Sequence, residues 1–152
     1  MQSQVSLYRF WFVFVFSVLF CNEYNLQWLA AVVVGKLSLI GGFKDAYQFL
    51  SFDSYAFFTA ARLPPFLVLA IMVFLTRKKD SSVVHAIAWG GLIGVVGTIV
   101  IVEWSIVKTY YINIHVPSTS AIGLLVAPIL AIPSCLVGGL LGRITCWICC
   151  HK

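Results

Sequence analysis

Charge is scarce in this chain. Only 10% of its residues are Asp, Glu, Lys or Arg, and five acidic side chains stand against ten basic ones. A soluble domain of ordinary composition carries roughly a quarter charged residues, so a water-soluble globular domain is excluded. Reactive constellations are missing too. No H-E-x-x-H, no G-x-S-x-G and no phosphate-cradling glycine loop occurs, and each of those patterns places the groups that its chemistry needs. No catalytic residue, metal site or cofactor is therefore expected. There is no internal repeat, no low-complexity tract and no linker, so residues 1–152 read as one integral membrane domain.

The opening stretch "RFWFVFVFSVLFCNEYN" also lacks something. One cation (Arg9) followed by an apolar run from Phe10 to Phe20 has the charge and length of a secretory signal. Cleavage would need small residues one and three places before the cut, whereas the run exits through Val18, Leu19, Phe20, Cys21, Asn22 and Glu23. A lipid-modified Cys21 would need Gly, Ala or Ser before it and meets the ring of Phe20. The stretch is expected to be retained as a membrane span, with Tyr8 and Trp11 near one interface and Tyr24 and Trp28 near the other.

What the chain has in abundance is apolar surface: 61% hydrophobic residues and a mean hydropathy of +0.99. Runs of more than twenty apolar residues suffice to cross a ~30 Å hydrocarbon core at 1.5 Å per residue. These runs are apolar on every side rather than alternating, so they are helices and not barrel strands. The expected fold is all-α: a polytopic membrane helix bundle with four transmembrane helices at about 7–24, 55–76, 83–107 and 119–142. The segment 26–43 is apolar but contains Lys36 and ends on Gly41-Gly42. It reads as an external, interfacial amphipathic helix, with a fifth crossing as the alternative.

The turn Arg77-Lys78-Lys79 is the strongest cytoplasmic signal. It puts Arg9, Arg77, Lys78, Lys79, Arg143 and Lys152 inside against Lys36, Lys44, Arg62 and Lys108 outside, six to four, with both termini cytoplasmic. The net charge of +5 is then a matter of orientation and of contact with membrane lipids, not of nucleic acid, since no soluble basic face exists to carry it.

Two small-residue stripes mark helix packing surfaces. Gly90, Gly94 and Gly97 fall on one face of the third span. Ala127, Ala131, Ser134, Gly138 and Gly142 run along the fourth, which Pro128 and Pro133 interrupt. Without a hydrophobic drive between helices in lipid, such seams are where backbones approach.

Ionisable groups within spans are costly and therefore informative. Arg62 lies fifteen residues above Arg77, about 22 Å up a helix, and Glu103 lies twenty residues above Val83, about 30 Å up the next. With an arginine reaching ~6 Å outward, the two heads meet at similar depth as a structural ion pair. Glu23, His85 and Glu103 are candidates for a ligand or proton path. His85 and Glu103 share a face but stand five turns apart. The tail "RITCWICCHK" holds Cys146, Cys149 and Cys150, whose spacing suits neither a zinc knuckle nor haem attachment. They read as candidate acylation sites beside Trp147.

Packing stripes without a reactive constellation point to a non-catalytic polytopic membrane protein. Its expected role is an accessory or assembly subunit, with another membrane protein or a second copy as partner. A small oligomeric transporter or channel using a membrane carboxylate is the alternative.

Overall fold

The computed structural model describes residues 2–48, 50–112 and 120–150. Among them there is no strand. Seven helices follow in order: α1 (Gln2–Phe20), α2 (Glu23–Val33), α3 (Leu39–Tyr47), α4 (Phe52–Thr76), α5 (Ser81–Val107), α6 (Thr109–Ile112) and α7 (Ser120–Cys150). Three stretches, Phe52–Thr76, Ser81–Ile112 and Leu125–Cys149, are long and apolar enough to cross a membrane, as befits an integral membrane protein. Helix α1 contributes a shorter apolar stretch, Tyr8–Phe20.

Polar side chains set the helix starts. The Ser51 hydroxyl accepts from the Ser54 N–H at 3.1 Å to open α4, and Ser38 does the same for Gly41 at 3.0 Å to open α3. Asn22 caps α2 by accepting from the Tyr24 N–H. Each cap satisfies an amide that the helix leaves without a partner. Pro64 and Pro65 lie inside α4, where each removes one backbone donor without ending the helix.

Helix α5 is the centre of the bundle, in contact with α1, α2, α4, α6 and α7, and its most extensive contact is with α7. The pairing is antiparallel: Gly90 meets Gly138, Gly94 meets Ser134 and Gly142 meets Ala86. At each of these glycines an added Cβ would collide with the facing backbone carbonyl. Helix α4 also runs antiparallel to α5, with Leu69 and Met72 against Gly91. Helix α1 lies against both through aromatic rings: Phe10 edge-on to Trp89 at 5.8 Å and Phe14 edge-on to Phe66 at 5.6 Å. Phe66, Leu69, Leu92, Val95, Ile99, Ala131 and Cys135 form the buried core between them.

Several expectations are corrected. The segment 26–43 is not one helix. It lies in α2 and α3, which are 11 and 9 residues long, or about 16 and 13 Å, too short to cross singly. Between them Lys36 takes φ 53°, a left-handed conformation that breaks the run. Gly41 and Gly42 lie within α3 instead of ending the segment. The first apolar helix stops at Phe20, not at about 24, because Asn22 caps a new helix. The last helix passes 142 and continues through the cysteine tail to Cys150. Gly97 does not join the glycine seam, since a Cβ there would meet nothing within 4 Å. Gly97 opens instead on an apolar groove shared with Val13 and Ser17 of α1.

Gly94→Leu and Gly138→Leu should each destabilise the bundle by about 3 kcal/mol or more, since backbone cannot yield as a core side chain can. Gly97→Leu should cost under about 1 kcal/mol. Thermal unfolding in mild detergent checks this. Equal tolerance at positions 94 and 97 would mean that the seam is not the close contact described.

Candidate functional site

The polar residues of the bundle gather at the end where α1 stops and α4 begins. On α4, Thr59 and Arg62 are three residues apart and share a face. Arg62 Nε donates to Glu103 Oε1 of α5 at 2.6 Å, and the two side chains are 3% and 0% exposed. Arg62 Nη1 donates to the Phe58 carbonyl at 2.9 Å, and the guanidinium carbon stands 5.8 Å from the Phe58 ring centre. One turn away, Asn22 Nδ2 donates to Thr59 Oγ1 at 3.0 Å, tying the start of α2 to α4. Glu23, the next residue, lies within electrostatic range of both Arg62 and Glu103.

Helices α2 and α3 cover this end. Tyr47 donates to Asn25 Oδ1, Trp28 Nε1 to the Leu39 carbonyl at 3.0 Å, and Tyr111 to Asp45 Oδ2 at 2.7 Å. Tyr24 stacks near Tyr47 and Tyr55. Burial, and secondarily Tyr55, push the Tyr47 phenol above its ordinary pKa, so it remains a donor across the physiological range. Leu26, Ala30 and Ala31 of α2 are buried.

The pair satisfies part of what a buried charge demands. Arg62 Nη2, Glu103 Oε2 and Glu23 Oε2 are buried without a hydrogen-bond partner among the described residues. Polar atoms in that state are costly, and three of them fall in one neighbourhood.

The other sequence-derived candidates are placed elsewhere. His85 sits near the opposite end of α5, its Nδ1 2.6 Å from the Ser81 carbonyl oxygen. The intervening Leu92, Val95 and Ile99 are buried apolar residues, so no polar line joins His85 to Glu103. Glu23 and Glu103 do come together, around Arg62. Ala127 and Ala131 are fully buried, and Ser134, Gly138 and Gly142 lie on the seam with α5. Cys146 is half-buried and Cys149 exposed on the last turns of α7, while the side chain of Cys150 lies outside the described residues. Among the described residues no three His, Cys, Asp or Glu side chains form a metal-binding group. The Asn22–Thr59 link and the Tyr111–Asp45 bond, absent from the sequence-derived candidates, complete the polar end. The polar cluster after Phe20 signals Asn22 alone.

Compared with known proteins, the chain matches no family model, no curated protein and no solved structure.

A double-mutant cycle with Arg62→Gln and Glu103→Gln tests the pair. Each single change strands a buried charge, so the two should be non-additive by about 2 kcal/mol in detergent unfolding. Additivity within about 0.5 kcal/mol would show that the contact contributes nothing specific.

Proposed function

We propose that the protein is a non-catalytic, four-span membrane protein that serves as an accessory or assembly subunit of a larger membrane complex. One observation carries this reading. The α5–α7 seam opens on its outer side as an apolar groove lined by Gly90, Ile93, Pro133, Ser134, Val137 and Leu141. Small residues along such a groove allow another helix backbone to come close, which in lipid is a main source of association. The strongest polar interaction of the bundle, by contrast, is closed on itself: Arg62 and Glu103 are bonded to each other in the interior.

The fourth span is α1. Its 19 residues reach about 28 Å, and it packs along α5 and α4 with Phe10 at Trp89 and Phe14 at Phe66. Charge supports the sidedness. Arg9, Arg77, Lys78, Lys79 and Arg143 belong to one end of the bundle with a single acid, Asp80. The other end has Lys36, Lys44 and Lys108 balanced by Glu23, Asp45 and Asp53. The basic end is cytoplasmic by the positive-inside rule, and α2–α3 form an external cap.

A small oligomeric transporter using Glu23 and Glu103 is the second reading. It is favoured by the three unpartnered polar atoms of that cluster, since intramembrane ionisable groups commonly mark ion pathways.

Native mass in mild detergent separates the two. A co-purifying membrane protein supports the accessory role, a defined homo-oligomer supports the transporter, and a monomer without partners counts against both. For the topology, reporter fusions after Lys79 and Lys152 should read as cytoplasmic and one after Asp53 as external. The same location for Asp53 and Lys79 would end the four-span arrangement.

A further inference from the structure

The basic end of the bundle contains a feature that helix packing does not explain. A cavity of about 470 Å³ opens between the α4–α5 turn and the last turns of α7, lined by Lys78, Lys79, Asp80, Ser82, Arg143 and Trp147. Two elements more than sixty residues apart in sequence thus bring three cations to one hollow. Like charges gathered in this way repel one another, which destabilises the arrangement unless an anion is shared among them. Among the described residues no carboxylate does so: their ion pair is Arg62 with Glu103, at the far end of α4 and α5. The neighbouring Arg77 is turned aside, its guanidinium carbon 4.0 Å from the Phe74 ring centre. Asp80 is the one acid in the hollow, so a positive excess remains.

The walls say what kind of anion fits. Ser82 adds a hydroxyl donor beside the cations. Trp147 is 62% exposed, with Leu140, Leu141, Ile144 and Ile148 exposed on the same stretch of α7. Exposed tryptophan at the end of an apolar helix anchors at the headgroup level, and the aliphatic side chains before it suit acyl chains. A soluble anion would use the cations alone, whereas a lipid uses both parts.

We propose that this hollow binds the phosphate of an anionic phospholipid headgroup, with Lys78, Lys79 and Arg143 as its charge partners and Ser82 as a hydrogen-bond donor. The acyl chains lie along α7 below Trp147. The site rests on the membrane setting of α4, α5 and α7 and on the sidedness given above only for the choice of leaflet. It does not depend on the accessory role, and the reporter fusions test the sidedness separately.

The experiment titrates the purified full chain in mild detergent with phosphatidylglycerol and with phosphatidylcholine of the same acyl chains, reading bound lipid by native mass spectrometry. Phosphatidylglycerol should bind at least about tenfold more tightly. Each of Lys78→Gln, Lys79→Gln and Arg143→Gln should cost about fivefold. Asp80→Asn, which removes the one repulsive charge, should strengthen binding, a gain that no loss of folding can mimic. Lys36→Gln, Lys44→Gln and Lys108→Gln together remove equal charge from the other end and should leave binding unchanged. Equal affinity for the two lipids would overturn the site. So would equal losses from both sets of substitutions, which would mean net charge alone, or displacement of the lipid by millimolar inorganic phosphate, which would mean a site for a free anion.

Discussion

The backbone contact between α5 and α7 is the constraint around which the rest of this bundle is arranged. Gly90, Gly94, Gly138 and Gly142 let the two helices approach until no side chain fits between them. In lipid that closeness matters more than in water, because dispersion contact at small residues replaces a hydrophobic drive that is absent there. It also frees the remaining faces of α5. A helix that is apolar on every side can surrender one face to α7 and still offer Leu92, Val95 and Ile99 to the core it shares with α4 and α1. The aromatic contacts of α1 are of a different kind. Phe10 and Phe14 meet Trp89 and Phe66 edge-on, an arrangement in which the positive ring edge faces the negative ring face. Large rings hold α1 to the bundle where glycines hold α7.

Against that apolar frame the buried ion pair is expensive, and a further hydrogen bond of the guanidinium softens the cost. Arg62 spends Nη1 on the Phe58 carbonyl and Nε on Glu103. A guanidinium can do both because its donors fan out in a fixed plane, which a lysine could not reproduce. Glu103 is thereby neutralised inside the protein and not by snorkelling to the surface.

Much of this was legible in the sequence, for identifiable reasons. Composition excludes a soluble fold, and length fixes the three longest helices, because both act over twenty residues and tolerate local error. The depth of Arg62 and Glu103 followed from counting helical rise, which needs only that both helices be straight enough over about 30 Å. What failed was whatever depended on one residue's local conformation or on which neighbour a helix face meets. Nothing in the run 26–43 announces that Lys36 will take a left-handed turn and split it into α2 and α3. Gly97 shares the angular face of Gly90 and Gly94, but a face is not a contact. A Cβ at Gly97 would meet nothing within 4 Å, whereas one at Gly90 or Gly94 would strike the backbone of α7. The links from Asn22 to Thr59 and from Tyr111 to Asp45 join residues 37 and 66 positions apart, a separation over which hydrogen-bonding residues leave no periodic trace.

The cap formed by α2 and α3 and the buried pair depend on each other. Helix α2 begins at the Asn22 cap, whose other amide hydrogen bond goes to Thr59, one turn from Arg62 on the same helix. The cap is closed from the far side by Tyr111 and Asp45, so it is pinned to both α4 and α6. With Leu26, Ala30 and Ala31 buried beneath it, it keeps water from the Arg62–Glu103 contact and so strengthens the attraction between the charges. The same exclusion makes the unpartnered Glu23, Arg62 and Glu103 atoms more costly. A cap that lifted would hydrate those three atoms and weaken the pair at the same moment. The two effects on stability oppose one another, so their net contribution to holding the cap down is smaller than the larger of the two.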